Sequence, residues 1–164
     1  MKKLLVTVTA LFLMLPVIGK SNLFAQDSPI QIALFNPVQI FPEESSITGL
    51  RFSLLYGKNA NVNGLDLGLV NVTTGNQVGL QYGVVGYNEG NFKGWQDNFV
   101  SILKGNLTGL QTGAVTYTSA KASGLQIGIV NYAATMNGLQ LGLINIIGKG
   151  GFLPVFPFFN FSFE

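Results

Sequence analysis

The sequence predicts an all-β protein, built as an antiparallel meander of repeats that closes into a small barrel of about 8–10 strands. Three observations predict it. A Gly-Leu-Gln-apolar-Gly-apolar-apolar-Asn phrase recurs seven times, the residues between its glycines favour strands, and short turn-forming clusters separate the units. A parallel β-solenoid, with one 15-residue repeat per coil, is the alternative that these observations leave open.

Residues 1–25 have the pattern of a secretory signal peptide. Lys2 and Lys3 form a basic start, Leu4–Gly19 is apolar, and cleavage is expected after Ala25. An apolar stretch of this length is short for a membrane helix. We therefore expect an exported protein. After removal of this segment six basic and seven acidic residues remain, and the basic ones are scattered, so we expect no nucleic-acid partner.

The composition also excludes several kinds of catalytic and metal site. The chain has no cysteine and no histidine, which excludes disulfides, thiol nucleophiles, histidine bases and nearly all zinc sites. Charged residues make up 10% of the chain, against roughly 25% in ordinary soluble domains. We therefore expect no enzyme activity, no cofactor and no metal.

Residues 26–48 are expected to form an N-terminal strand and a loop. The stretch IQIALFNPVQIFP (30–42) alternates like a strand and then meets Pro37 and Pro42. Proline belongs at the edges or bulges of sheets because it donates no backbone hydrogen bond.

The seven repeats occupy residues 49–151, and their positions are counted here from the first glycine of each phrase. Position 2 is leucine or Trp95, position 3 is mostly glutamine, position 5 is small or polar, and positions 6 and 7 are apolar. This pattern indicates about 10–12 residues of strand and three or four of turn per unit. The starting glycines are Gly49, Gly64, Gly79, Gly94, Gly109, Gly124 and Gly138. The expected turns are TTGN (73–76), NEGN (88–91), LKGN (103–106), TSAK (118–121) and GKGG (148–151).

The two ways of stacking the repeats predict different neighbours. An antiparallel hairpin places Gly68 opposite Gly83 and lays the ring of Tyr117 over Gly124, as aromatic residues do to shield glycine in sheets. A parallel solenoid places like residues side by side. Arg51 then lies beside Asp66, Tyr117 stacks on Tyr132, and the glutamine and asparagine columns become interior hydrogen-bond ladders.

Residues 152–164 are expected to form an aromatic C-terminal strand. Phe159, Phe161 and Phe163 fall on one side, and Asn160 and Ser162 on the other. A closing aromatic strand is similar to the signal read by barrel-assembly machinery. The other interpretation is an apolar cap that seals the last repeat.

The GLQxGxxN units and the closing PVFPFFNFSF resemble a bacterial surface-repeat family first named in spirochaetes, with related repeats in exported proteins of Gram-negative bacteria. The resemblance covers about 49–163, and the unit GWQDNFVSI departs most from the pattern. It implies an exported protein of the surface or outer membrane, of mostly unknown function. It carries no catalytic residues to transfer.

One divergent stretch is a candidate contact for a sugar or an ion. Trp95 offers a stacking surface, and Gln96, Asp97 and Asn98 offer hydrogen-bonding groups. The other interpretation is a degenerate repeat with local polarity.

The sequence therefore predicts a non-enzymatic structural protein of the outer membrane or cell surface, with outer-membrane lipid and barrel-assembly machinery as partners. The alternative is a secreted or periplasmic scaffold that binds a protein or glycan partner along its repeats.

Overall fold

The strands wind into a parallel β-solenoid of about eight turns in a computed structural model that describes residues 27–163. The prediction of an antiparallel barrel is wrong, and the solenoid alternative is confirmed. The predicted signal peptide, residues 1–25, lies outside the described residues. The strands are β1 (Ser28–Phe35), β2 (Val38–Gln39), β3 (Ile47–Asn59), β4 (Val62–Thr73), β5 (Gln77–Asn88), β6 (Phe92–Leu103), β7 (Leu107–Thr112), β8 (Val115–Ile127), β9 (Val130–Lys149) and β10 (Val155–Phe163).

The register places each residue beside its equivalent one repeat later. Between β4 and β5, for example, Gly68 pairs with Gly83, as the antiparallel hairpin also predicted, but the two strands run parallel. Tyr117 pairs with Tyr132 and not with Gly124. The pairing of two glycines therefore did not distinguish the two topologies, whereas the tyrosine pairing does.

The first glycine of every repeat has a conformation that other residues avoid. Its φ lies between 119° and 150° in all seven repeats. At Gly109 a Cβ would overlap the carbonyl oxygen of Gly94 in the preceding coil. The recurring glycine therefore serves the bend of the backbone and the close approach of neighbouring coils.

The predicted turns are confirmed in part. Strands β4, β5 and β6 have 12 residues each and end at the expected clusters. The cluster at 118–121 is instead part of β8, with a register shift between Thr118 and Lys121. The strand break in that coil falls at Gly113, whose φ is 155°. In β3 an extra residue places Tyr56, not Leu55, beside Val70.

Both ends of the solenoid differ from its middle. At the N-terminal end β1 runs parallel to β3, and the chain turns at Pro37 so that β2 pairs antiparallel with β1. At the C-terminal end β10 pairs antiparallel with β9. Asn160 and Ser162 of β10 are buried whereas Phe159 and Phe163 are exposed, which confirms the predicted alternation.

The interior changes character along the axis. The coils that span residues 92–149 enclose an apolar cluster near their turns. The earlier coils bury Ile47 and Val62 at the places equivalent to Phe92, but carry Asn59, Thr73 and Asn88 at the places equivalent to Leu103. The apolar cluster consists of Phe92, Leu103, Leu107, Ala122, Ala133, Met136 and Ile147.

The exterior is apolar on two faces. Outward side chains of positions 2 and 4 form the first face, those of positions 6 and 7 form the second face, and position 5 lies at the corner between them. On the first face Leu65 is 48% exposed, and on the second face Leu69 is 47% exposed. The turns, which carry charged residues such as Glu89 and Lys104, form a polar edge called the turn edge. The usual arrangement of polar outside and apolar inside is thus inverted over much of the molecule.

Candidate functional site

A column of buried polar side chains runs through the whole interior. Its members lie at position 3 of successive repeats and at the equivalent places in β1 and β10, and each is fully buried. This set, the amide column, confirms the predicted interior ladder. It consists of Gln31, Arg51, Asp66, Gln81, Gln96, Gln111, Gln126, Gln140 and Asn160.

The hydrogen bonds of the amide column run in one direction. The Nε2 group of each glutamine donates to the Oε1 atom of the preceding one, at 2.7–2.8 Å from Gln140 back to Gln81. The Nε2 of Gln81 then donates to Oδ2 of Asp66 at 2.9 Å. A carboxylate only accepts, so Asp66 determines which way every amide above it points.

Arg51 and Asp66 form a buried ion pair at the N-terminal start of this chain of hydrogen bonds. The Nε and Nη2 atoms of Arg51 donate to the two carboxylate oxygens of Asp66 at 2.7 and 2.6 Å. The remaining donors of Arg51 reach the carbonyl of Val72 and the hydroxyl of Thr73, and Gln77 donates to Asp66 at 2.9 Å. Buried charges require this degree of pairing, so the pair has a structural role.

The four residues predicted as a ligand contact are divided between two sides of the sheet. Gln96 belongs to the amide column, and Asn98 is buried where it donates to the Oε1 atom of Gln81 at 3.1 Å. Trp95 and Asp97 point outward on the first face, as alternation along a strand requires. A single ligand therefore cannot contact all four from one side.

The outward pair gains a third member that the sequence analysis did not include. Thr112 lies one coil later beside Asp97, and its hydroxyl donates to Asp97 at 2.6 Å. The Nε1 of Trp95 donates to the same hydroxyl at 2.9 Å. The parallel register pairs Asp97 with Thr112, and the hairpin register used for the barrel prediction did not. The group is a small polar interruption of the first face, with a tryptophan ring 45% exposed.

A further polar cluster lies at the N-terminal end. The amide of Asn36 donates to the Glu43 carboxylate at 2.6 Å, and the ammonium of Lys58 lies 3.3 Å from it. The Asn36 hydrogen bond, followed by the hydrogen bond and charge of Lys58, lowers the pKa of Glu43 below its usual value. These contacts tie the loop after β2 to the end of β3.

Residues 27–163 contain no cluster of three acidic side chains placed to hold a metal ion. Within the same part of the chain, no helix is long and apolar enough to span a membrane.

Comparison with known proteins assigns neither a family nor a function to the chain. No family model matches the chain, and neither a curated protein nor a solved structure matches it. The resemblance to the spirochaete surface-repeat family therefore stays a prediction.

Proposed function

We propose that this protein is a non-enzymatic structural protein of the outer membrane or cell surface, exported by its N-terminal segment and attached to membrane lipid. The single observation that carries the proposal is the inverted polarity of the solenoid. A continuous column of amide and charged groups runs through the interior, whereas rows of Leu, Val, Ile and Phe side chains face outward along the repeats. Exposed apolar patches of this extent mark binding to lipid or protein.

The interior supports a structural role and not a catalytic one. The strongest candidates for chemistry, Arg51 and Asp66, are fully buried and use their hydrogen-bonding groups on each other and on neighbouring coils. Catalysis needs groups that a substrate can reach.

Barrel-assembly machinery was expected as a partner because β10 was interpreted as the closing strand of a barrel. In the solenoid β10 covers the last coil by pairing with β9. The proposal therefore concerns lipid alone.

Cell fractionation tests the proposal. We expect the protein in the membrane pellet after a carbonate wash and its release only by detergent. An outer-membrane protein of known location serves as the positive control, and a soluble periplasmic protein as the negative one. Recovery in the soluble fraction without detergent would contradict the proposal.

A secreted or periplasmic scaffold for a glycan partner is the second candidate. The exposed Trp95 ring beside Asp97 and Thr112 favours it, because sugars stack on aromatic rings and bond to adjacent carboxylates. A glycan array read with the wild-type protein and with Trp95→Ala tests it: binding that depends on Trp95 supports the scaffold, and binding to no glycan rejects this candidate.

A further inference from the structure

The second face is the most uninterrupted apolar surface of the described residues. Phe99 is 65%, Leu143 60% and Ile129 54% exposed there. The first face, in contrast, is interrupted by Asp97 and Thr112. The second face consists of Leu54, Leu55, Leu69, Val70, Val84, Val85, Phe99, Val100, Ala114, Val115, Ile129, Val130, Leu143 and Ile144.

Three tyrosines, here called the tyrosine row, lie between the second face and the turns. Tyr87, Tyr117 and Tyr132 occupy position 9, where they are half-buried, and the rings of Tyr117 and Tyr132 stack at 4.8 Å between centroids. The same column holds Val72, Ile102 and Ile146 in other coils. Tyrosine combines an apolar body with a polar hydroxyl and is enriched where a membrane meets water. In the coils that carry these tyrosines, the order is thus aliphatic, then aromatic, then polar turn.

The turn edge beside this face is positively charged in the C-terminal half. Among charged residues in the described chain after Gly90 there are four lysines and one acid, Asp97, which lies on the first face. Lys104 lies in the turn after β6, where its ammonium is 5.8 Å from the ring centroid of Tyr117, and Lys149 is the last residue of β9. These two are called the turn-edge lysines.

We propose that the second face lies against a lipid bilayer, with the tyrosine row at the interface and the turn-edge lysines at anionic headgroups. The inference rests on the proposed function and deepens it, because it names the lipid-facing surface and the headgroup charge. Apolar residues on a face with lysines at its border are the features by which amphipathic elements bind anionic membranes.

Single-cysteine labelling distinguishes the two faces, because the chain contains no cysteine of its own. Three exposed positions are replaced in separate variants of the full exported protein: Phe99→Cys on the second face, Tyr82→Cys on the first face and Glu89→Cys at the turn edge. Each carries an environment-sensitive fluorophore. The probes are phosphatidylcholine vesicles and phosphatidylcholine vesicles that contain phosphatidylglycerol.

We expect the emission of the label at residue 99 to shift to the blue on addition of the anionic vesicles, and the label at residue 82 to change little. An equal shift at both residues, or a shift at 82 alone, would overturn the assignment of the second face while leaving membrane attachment intact. A shift at residue 99 that follows protein concentration without vesicles would instead identify a second copy as the occupant, and would also overturn it.

Lysine variants test the headgroup charge. Lys104→Gln should weaken the partitioning of the unlabelled protein into anionic vesicles about fivefold, the effect of one lysine near an anionic surface. Lys93→Gln, which removes the same charge at the start of β6, two residues before Trp95 of the first face, is the matched control and should have a smaller effect. An equal loss of vesicle partitioning in Lys104→Gln and Lys93→Gln, or no loss in either, would overturn the proposal. Fractionation of cells is independent of both experiments, so the proposed function can survive their failure.

Discussion

At the scale of the residue, Asp66 has the widest consequences of any side chain in the interior. Its carboxylate accepts hydrogen bonds from Arg51, Gln77 and Gln81. Because Gln81 must donate to it, the Oε1 of Gln81 faces the next coil, and the same orientation is imposed on each glutamine above. Aligned amides polarise one another, which strengthens the hydrogen bonds of the column.

Replacement of Asp66 by alanine should therefore be strongly destabilising. It leaves the Arg51 guanidinium buried without its counter-charge, a change that lowers the free energy of unfolding by about 3–5 kcal/mol. Asp97→Ala is the matched control, because Asp97 is partly exposed and its loss removes one hydrogen bond from Thr112, which should cost about 1.5 kcal/mol. Urea unfolding followed by circular dichroism gives both values. A similar loss of unfolding free energy in the two variants would show that the ion pair with Arg51 does not cause the effect of Asp66→Ala.

The first glycine of a repeat should tolerate no side chain. Gly109→Ala places a Cβ at a φ of 129° and against the carbonyl oxygen of Gly94, so the free energy of unfolding should fall by about 2–4 kcal/mol. Thr108→Ala changes the adjacent exposed residue and should alter the stability by less than about 0.5 kcal/mol. Thermal melting of both variants checks this. A Gly109→Ala protein as stable as Thr108→Ala would contradict the role given to the glycine.

At the scale of the element, the stacking of like residues is what distinguishes the parallel coil from the hairpin. Tyr117 and Tyr132 lie with their rings 10° from parallel. Truncating both to alanine in a double-mutant cycle should give a coupling of about 0.5–1.5 kcal/mol, as stacked aromatic pairs do. The effects of Tyr117→Ala and Gly124→Ala should add instead, because those residues occupy different columns. Coupling in the second cycle and none in the first would favour the hairpin.

Much of each element could be predicted from the sequence, but the direction of stacking could not. Strand length and the turns after Thr73 and Asn88 follow from local residue preferences. The choice between hairpin and coil depends on contacts between units, and a Gly68–Gly83 pair fits both. The charges of Arg51 and Asp66 favoured the parallel register, because that register places them side by side.

The candidate site was predicted less well, because its contacts also form between coils. Neighbours in the sequence, such as Trp95 and Gln96, lie on opposite sides of the strand, whereas Trp95 and Thr112 meet across coils. A ligand contact proposed from consecutive residues could not include Thr112 without the parallel register. The amide column was predictable, because one residue type recurs at one position of a repeat that stacks on itself.

At the scale of the whole molecule, the solenoid has two unlike halves. The amide column runs through both halves, and residues 47–91 add to it the buried ion pair of Arg51 and Asp66, with Ile47 and Val62 as their buried apolar residues. Residues 92–149 add the larger apolar cluster around Phe92 and Leu107. Polar groups that are fully hydrogen-bonded add little net stability relative to their hydration in the unfolded chain, whereas each buried leucine contributes about 1.5–3 kcal/mol. Stability in stacked repeats is the sum of local and nearest-neighbour terms, so the halves need not open together.

Native-state hydrogen exchange should therefore resolve two levels of protection. We expect amides in residues 47–91 to open with a free energy at least about 1.5 kcal/mol lower than those in residues 92–149, the contribution of one buried leucine. Leu107→Ala removes part of the apolar cluster and should lower protection mainly in the second half, by about 2–5 kcal/mol. Leu65→Ala, at an exposed site of the first face, is the control and should leave both levels in place. Uniform protection along the chain would mean that coupling between coils exceeds the difference between the two interiors, and that the solenoid opens as one unit.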